Sequence, residues 1–432
     1  MSSRLAATQA RSPKAAPGSA QSRLLAAGLI GNVLEWYDFS LYGYFAASIG
    51  QHFFPSRSPA VSLMVAFAVF SAGFLTRPLG AILFGYIGDH YGRERALMLS
   101  ILAMAVPTFV TGLLPGYAKI GAAASILMVI LRLTQGLSAG GEYTTSIVFL
   151  AERSTQMGRG FMASCGLFGS IAGGMLGSAA GALLSHLMTP ENVDAWGWRI
   201  PFVLGIVLAF VGILIRRDLP HTAHPRSEPA AAMARAIITQ WRALLHVTGF
   251  ELLEAVGFYT TFIYLATYMT QVVHLSQPHA FAVNTLSMGF VLFIIPLAGW
   301  MSDRIGRKPV LLTAAVCALA FAWPLFRLFQ RGSFGSALFA ELGLAAIIGC
   351  YEGATPAAAA EAFPAGIRAT GVAVAFNLCM TLFGGTTPMV ATYLIERTRS
   401  PMAPAVYLMI AAALSTIAIL TLSETAHDPL KD

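Results

Sequence analysis

Charge is scarce in this sequence. Asp, Glu, Lys and Arg together make up 11% of its 432 residues, and hydrophobic residues make up 56%. A soluble globular chain carries roughly 25% charged residues, and at this length it needs far more polar surface than these residues supply. The composition therefore predicts a polytopic membrane protein. It excludes a nucleic-acid-binding protein, a secreted disulfide scaffold and a disordered chain.

Common catalytic and metal-binding motifs are also missing. The four Cys fall inside apolar runs without CxxC spacing or His partners, which is typical of small core residues. The sequence contains no GxxxxGK(S/T) phosphate loop and no HExxH pair, and its nine His lie in loops or at helix ends. We therefore expect no metal site, no cofactor, no ATP-driven motor and no enzymatic activity.

Long apolar runs, in contrast, are abundant. Backbone polar groups in lipid must be satisfied within the protein, so each run is predicted to form a helix and the chain an all-α membrane protein. Twelve spans are expected, of which the sixth is short: 24–48, 61–87, 96–115, 121–151, 161–187, 201–217, 241–273, 281–301, 309–330, 334–361, 369–396 and 403–423.

Lys and Arg are distributed unevenly between the two ends of these spans. The side that holds both termini carries 18 of the 27 basic residues and the other side carries 7. Because basic loops remain in the cytoplasm, both termini are predicted to be cytoplasmic. Residues 1–23 lack an apolar core and are interpreted as a cytoplasmic tail, although their Ala, Ser and Arg bias also resembles a transit peptide. Residues 424–432 form the second tail, and topology accounts for the net charge of +7.

A nine-residue pattern, Gly-x-x-x-Asp-x-x-Gly-Arg, occurs twice. It follows the second span with Asp89 and Arg93, and the eighth span with Asp303 and Arg307. Its glycines let helix ends and a tight turn approach closely, and its Asp and Arg can form a charge-assisted bond between helices. We interpret these four residues as a gating latch on the cytoplasmic face.

Acidic residues repeat with nearly the same offset as this pattern, which is close to half the chain. Glu35 and Asp38 in the first span recur as Glu251 and Glu254 in the seventh. The sequence therefore predicts two six-helix bundles, at 24–217 and 241–423, joined by a polar cytoplasmic linker at 218–240.

Ionisable residues fall within the predicted helices. An ionised side chain at the bilayer centre costs roughly 2.5–3.5 kcal/mol, so such groups must pair or line a wet cavity. They include Glu35, Asp38, Arg77, Arg132, Glu142, Glu251, Glu254 and Glu352.

Arg77 lies in the same layer as Glu35 and Asp38, judged from a helical rise of about 1.5 Å per residue. Its guanidinium can bind a substrate carboxylate through two parallel hydrogen bonds. Alternatively, it forms a structural ion pair with one of the two acids. An ion pair that opens when substrate binds satisfies both interpretations.

A coupled proton needs a carboxyl group that can gain and lose it within the membrane. We expect Glu35, Asp38 or Glu142 to carry the proton, with Arg132 beside them, because burial favours the protonated carboxyl. The alternative is permanent neutralisation of these acids by Arg. The two acids of the seventh span are nearer the cytoplasmic entrance, where water can solvate them.

Other polar and aromatic side chains in the helices are candidates for a substrate pocket. Helix-spaced aromatic residues are more often packing residues, so that interpretation stays open for each of them. Besides Arg77, the candidates are Tyr37, Gln135, Tyr143, Tyr259 and Asn377.

The sequence resembles the major facilitator superfamily, whose signature is the repeated loop, and within it the metabolite:proton symporters. The resemblance is carried by GNVLEWYDF at 31–39, RPLG at 77–80, RLTQGLSAGGEY at 132–143 and WGWRIPF at 196–202. It implies a major facilitator fold with twelve helices in two pseudo-symmetric halves around a central site. In α-ketoglutarate carriers of this kind the Arg of the RPLG motif handles substrate, which here is Arg77.

The resemblance also implies a function. The expected activity is proton-coupled import of a small organic acid, such as a di- or tricarboxylate, across a bacterial inner (plasma) membrane. The alternative is import of a zwitterionic compatible solute such as proline or glycine betaine. The expected partners are the substrate, protons and membrane lipid, without nucleic acid, and the protein is expected to be a monomer.

Overall fold

The computed structural model describes residues 17–91, 93–139, 142–152, 158–216 and 239–430. These residues are almost entirely helical, and none of them lies in a β-strand. The expected all-α architecture is confirmed. Most of the predicted linker and N-terminal tail lie outside the described residues.

Within the described residues, the first half of the chain contains six long helices, several of them broken within the span. They are α1 (Pro17–Tyr44, then Ala46–Phe53), α2 (Pro59–Leu75, then Arg77–Tyr91), α3 (Arg93–Leu113), α4 (Ala122–Ser138, then Glu142–Glu152), α5 (Arg159–Cys165, then Phe168–Leu187) and α6 (Arg199–Arg216).

The second half repeats this order, with π-helical turns inside two of its helices. They are α7 (Trp241–Phe258, the π-turn Tyr259–Tyr264 and Leu265–Gln271), α8 (Gln277–Ile305), α9 (Arg307–Phe329), α10 (Phe334–Ala362), α11 (Arg368–Cys379, the π-turn Met380–Gly384 and Thr387–Thr398) and α12 (Ala403–Leu420).

Seven helices within the described residues are long and apolar enough to cross a membrane, and an eighth is reached if α6 is joined to Pro190–Gly197 across a bend of 54°. The apolar parts of α3 and α4 are shorter. Helices α1 and α7 do not meet this criterion within the described residues, and each carries two acids three residues apart. In the described part of the chain, each of the twelve predicted spans coincides with one of the helices given above.

The packing of the helices repeats between the halves. In the first half α1 packs on α5 and α6, and α3 packs on α6; in the second half α7 packs on α11 and α12, and α9 packs on α12. The halves meet through α5 against α8 and through α2 against α11. This leaves the inner faces of α1, α2, α4 and α7 to surround the centre of the bundle.

Close approach of α2 and α4 depends on glycine. A Cβ at Gly136 would collide with the backbone carbonyl of Gly73, and one at Gly80 would collide with that of Leu137. Small residues allow such backbone contact between membrane helices. The crossing brings Arg77 and Arg132, one from each helix, to the same level of the bundle.

Candidate functional site

A buried ion pair joins α1 to α2. The Arg77 Nη2 atom donates to Glu35 Oε1 at 2.8 Å, and both residues are buried. The sequence analysis placed these side chains in one layer, and the structure brings them together. The Nε atom of Arg77 has no hydrogen-bond partner among the described residues, so part of the guanidinium fork is unused.

A second buried pair joins α1 to α4. Arg132 Nη1 lies 3.1 Å from Asp38 Oδ2, while Gln135 and Thr108 donate to Asp38 Oδ1 at 2.8 and 2.6 Å. Arg132 also donates to the side-chain oxygen of Gln135 at 3.1 Å. Asp38 therefore accepts three hydrogen bonds from three residues, which makes this pair the more firmly held of the two.

Aromatic rings separate the two guanidinium groups. The Phe39 ring lies between them, 4.8 Å from the Arg77 guanidinium carbon and 4.1 Å from that of Arg132. Phe74 lies 4.5 Å from Arg77, and Phe70 lies 5.0 Å from Arg132. Desolvated cation–π contacts contribute about 2 kcal/mol or more each, so the rings help to hold two cations in an apolar layer.

The same rings extend into an aromatic cluster that crosses between the halves. Trp36 contacts Phe258 with ring centroids 4.8 Å apart and Tyr259 at 6.2 Å. Tyr259 also lies 5.7 Å from Phe74 and 5.9 Å from Phe70, within electrostatic reach of Arg77. The Tyr259 hydroxyl is buried and has no hydrogen-bond partner in the described part of the chain. We call the group formed by Arg77, Trp36, Phe70, Phe74, Phe258 and Tyr259 the central site.

The second half contributes buried acids that form no ion pair with a basic side chain among the described residues. Glu251 and Glu254 on α7 and Glu352 on α10 are each at most 4% exposed. The sequence allowed water to solvate Glu251 and Glu254 near the cytoplasmic entrance, whereas the structure buries both. Helices α10, α11 and α12 pack around α7 and cover them.

Two buried acids of α10, Glu341 and Glu361, were not selected from the sequence. Glu361 lies 3.1 Å from Arg307. Glu341 on α10 is fully buried, and neither of its carboxyl oxygens has a hydrogen-bond partner among the described residues. It lies in an apolar helix, so the criterion that selected Glu352 would also have selected Glu341.

Two predicted substrate residues donate to backbone carbonyls. The Tyr37 hydroxyl donates to the Pro201 carbonyl at 2.8 Å and so joins α1 to α6. The Asn377 amide donates to the Ala373 carbonyl of its own helix at 2.9 Å. Their presence inside a span was visible in the sequence, but their direction depends on the neighbouring helices. Gln135 supports Asp38, as described above.

Four other predicted residues cannot be placed. The side chains of Glu142 and Tyr143, and those of the first latch loop, Asp89 and Arg93, lie outside the described residues.

One end of the bundle carries residues 158–161, 303–308 and 421–430, and we call it the tail face. The second latch loop connects the two halves there. Asp303 accepts from the backbone N–H groups of Gly160 and Phe161 at 2.7 and 2.9 Å. Arg307 lies 2.8 Å from Asp303 and 3.1 Å from Glu361. Hydrogen bonds between α5 and α8 therefore close the tail face. A gating role for Asp303 and Arg307 stays a prediction.

The segment after α12, residues 421–430, adds a strap over the tail face. The Glu424 carboxylate accepts from the backbone N–H groups of Arg307 and Lys308 at 2.9 and 3.0 Å. From the other half, Arg159 donates to the Asp428 carbonyl at 2.6 Å. The strap is thus bonded to both halves.

The opposite face of the bundle contains a cavity of about 140 Å³ between the halves. It is lined by the ends of α1 and α7, the start of α2 and the end of α11, including Gln51, Tyr264, Gln271 and Glu396. With the tail face closed, the space between the halves lies on the opposite side of the central site.

The structure consists of two similar helical bundles with buried charges near the centre, and hydrogen bonds close the bundle at one end. These features are typical of a membrane transporter. The profile of the Major Facilitator Superfamily matches residues 28–388, and the chain belongs to that family. It is therefore a multi-pass membrane transporter with the twelve-helix major facilitator fold, and it is not an enzyme.

Similar proteins include several transporters. A proline/betaine transporter of Salmonella typhimurium is 36% identical over 424 residues, covering 95% of this chain and 85% of the relative. A citrate-proton symporter of Klebsiella pneumoniae is 36% identical over 90% of this chain and 88% of its own. The xylose transporter of E. coli in a partially occluded, inward-open conformation matches with a TM-score of 0.74 at 17% identity, over 95% of this chain and all of its own.

The Arg132–Asp38 pair yields a stability prediction. Asp38→Asn leaves Arg132 buried without its counter-charge, and such a loss costs about 3–5 kcal/mol. We expect the Asp38→Asn/Arg132→Gln double variant to unfold at a higher temperature than either single variant in thermal melts of purified protein. The exposed pair Glu396–Arg399, 3.4 Å apart, is the matched control and should show little coupling. Additive losses at the buried pair would contradict this interpretation.

The strap yields a pH prediction. Burial of the Glu424 carboxyl disfavours its charge, but backbone N–H donors outweigh burial and hold its pKa below the ordinary value. The strap is therefore fully stabilised above the usual glutamate pKa of about 4.3 and loosens as pH falls through the lowered value. Hydrogen exchange of residues 421–430, corrected for intrinsic rates, should show this loss. In Glu424→Gln the strap should already be unprotected at neutral pH, whereas the exposed control Glu191→Gln should protect it as the wild type does. Equal protection of the strap in the wild type and both variants would exclude the role of Glu424.

Proposed function

We propose that this protein is a proton-coupled symporter that imports a small zwitterion of the proline or glycine betaine type. The observation that carries this proposal is that Arg77 and an aromatic cluster share one buried centre. Curated relatives named as proline/betaine transporters, such as that of E. coli at 37% identity, support it. This zwitterion replaces the di- or tricarboxylate that was the first expectation from the sequence.

Arg77 is the proposed carboxylate ligand. Its Nη2 atom is engaged by Glu35, and its Nε atom is unused. A substrate carboxylate can therefore take the guanidinium fork by displacing one carboxylate, which the bidentate geometry of Arg favours.

The aromatic cluster is the proposed ligand for the substrate's cationic nitrogen. Quaternary ammonium groups bind over aromatic faces, with Trp the strongest and Tyr next, and Trp36 and Tyr259 face the same centre. A di- or tricarboxylate needs a second free cation instead. The Arg132 charge is paired with Asp38 through Nη1, which also donates to Gln135, while its Nε and Nη2 atoms have no hydrogen-bond partner in the described part of the chain.

Displacement of Glu35 supplies a way to couple substrate to protons. Once its guanidinium partner has turned to substrate, an ionised Glu35 would be buried without a cation, which costs several kcal/mol. Binding a proton removes that cost, so substrate and proton bind together. A zwitterion with one proton moves one positive charge, and 100 mV is worth about 2.3 kcal/mol, which supports a gradient of about fiftyfold.

We further propose a bacterial inner-membrane location with both termini in the cytoplasm, since basic residues are concentrated on the tail side. The tail face is then cytoplasmic, and the cavity on the opposite face opens outward. The six-helix bundles 24–217 and 241–423 rock against each other around the central site, and the protein works as a monomer.

A binding screen tests the substrate class. At a ligand concentration of 100 times its Kd, a ligand stabilises the folded state by about 2.7 kcal/mol. We expect glycine betaine or proline to raise the melting temperature of the purified protein, and citrate and α-ketoglutarate not to. Arg77→Ala should fold but show no shift and no uptake, and Arg77→Lys should bind weakly because it lacks the fork. Stabilisation by citrate alone would contradict the zwitterion proposal.

The aromatic contribution is tested in the same screen. Tyr259→Phe keeps the ring and should retain binding within a few fold, whereas Trp36→Ala removes a cation–π partner and should weaken it by about tenfold or more. If Trp36→Ala bound the ligand as tightly as the wild-type protein, Trp36 would be excluded from the cation site.

A further inference from the structure

The second half contains a cluster of three carboxyl groups to which neither the family match nor the proposed substrate site assigns a role. Glu251 and Glu254 lie one turn apart on α7, and Glu352 lies on α10, which packs against α7 and is bonded to it by the neighbouring Tyr351 hydroxyl, 2.6 Å from the Phe250 carbonyl. They are 2%, 4% and 1% exposed. Glu352 lies near the middle of α10, so the cluster lies at mid-depth in the bundle.

The surroundings of this cluster contain no basic side chain among the described residues. The groups that face it are the Thr355 hydroxyl beside Glu254, the Tyr351 hydroxyl, which donates to the Phe250 carbonyl at 2.6 Å, and the Cys379 thiol from α11. From helix α12, Ser415 is bonded to the backbone of α7. The first half, in contrast, gives each of its two central acids an arginine.

The second observation is that buried carboxyl oxygens of all three residues are unused. Both oxygens of Glu352, and the Oε2 atoms of Glu251 and Glu254, have no hydrogen-bond partner in the described part of the chain. An ionised carboxylate removed from water without a cation costs several kcal/mol, and three together repel. Hydrogen ions remove that cost, and each also supplies a donor to a neighbouring oxygen.

A metal ion is the other cation that such a cluster can attract. Within the described residues no three His, Cys, Asp or Glu side chains are arranged to hold one. The geometry therefore favours the hydrogen ion as the ligand.

We propose that Glu251, Glu254 and Glu352 form a proton-binding site in the second half, distinct from Glu35 at the central site. The step is protonation and deprotonation of a carboxyl oxygen, with the proton supplied and accepted by water on the two sides of the membrane. Glu254 lies one turn before Phe258, whose ring contacts Trp36 at 4.8 Å, so the site is adjacent to the substrate centre. The proposal deepens the proposed proton coupling and depends on it for its effect on transport.

The experiment uses the reconstituted full-length protein with Glu254→Gln, Glu352→Gln and the double variant, and the exposed Glu191→Gln as control. Counterflow of labelled glycine betaine at equal pH reports the substrate site without net proton movement. Accumulation driven by a gradient of one pH unit reports coupling, since each coupled proton is worth a factor of about ten. Infrared difference spectra between acid and neutral pH report the C=O stretch of protonated carboxyl groups directly.

We expect the Gln variants to keep counterflow, to lose about tenfold in accumulation, and to lack part of the titrating carboxyl band. An unchanged band and unchanged accumulation would overturn the proposal. Loss of counterflow in folded variants would assign the cluster to the substrate site instead.

If the wild-type protein accumulates betaine without a proton gradient, or does not transport it, the proposed function fails. The infrared comparison between wild type and variants then still decides whether the cluster binds protons. A titrating band that is lost in Glu352→Gln supports the site, and an unchanged band excludes it.

Discussion

The contact between Arg77 and Glu35 is the constraint on which the account depends. Both groups lie in an apolar layer where an unpaired charge costs several kcal/mol. Each must therefore keep a partner throughout the transport cycle. If substrate takes one partner, a proton must compensate the other, and this exchange turns a structural ion pair into a coupling device. The neighbouring Arg132–Asp38 pair, with its additional bonds to Gln135 and Thr108, stays closed and supports the layer.

The two halves use their buried charges differently. The first half pairs its central acids with arginine, whereas the second half surrounds its acids with hydroxyl, thiol and aromatic groups. The pseudo-symmetry of the packing therefore does not extend to the chemistry. In the proposed mechanism this division assigns anion binding to one half and proton binding to both. In the same mechanism, closure of the tail face by Asp303, Arg307 and the strap sets which side of the membrane the shared centre faces.

The sequence was sufficient for the architecture and for part of the site. Apolar runs predicted the helices because lipid forces internal hydrogen bonding, and the scarcity of buried charge made Arg77 and Glu35 visible. Side-chain direction was not predictable, since it depends on the neighbouring helices: Tyr37 turned out to bond α6, and Asn377 its own helix. The burial of Glu251 depends on α10 and α12, which no local pattern reveals. The choice between carboxylate and zwitterion came from the relatives and the aromatic cluster.

The central claim is that substrate displaces Glu35 from Arg77 and that Glu35 then takes a proton. Titration calorimetry of glycine betaine binding in buffers with different ionisation enthalpies measures this directly, because binding linked to protonation draws protons from the buffer. We expect Glu35→Gln still to bind the ligand, but to take up about one proton fewer per ligand than the wild-type protein. Binding without proton uptake, or uptake that is unchanged in Glu35→Gln, would contradict it.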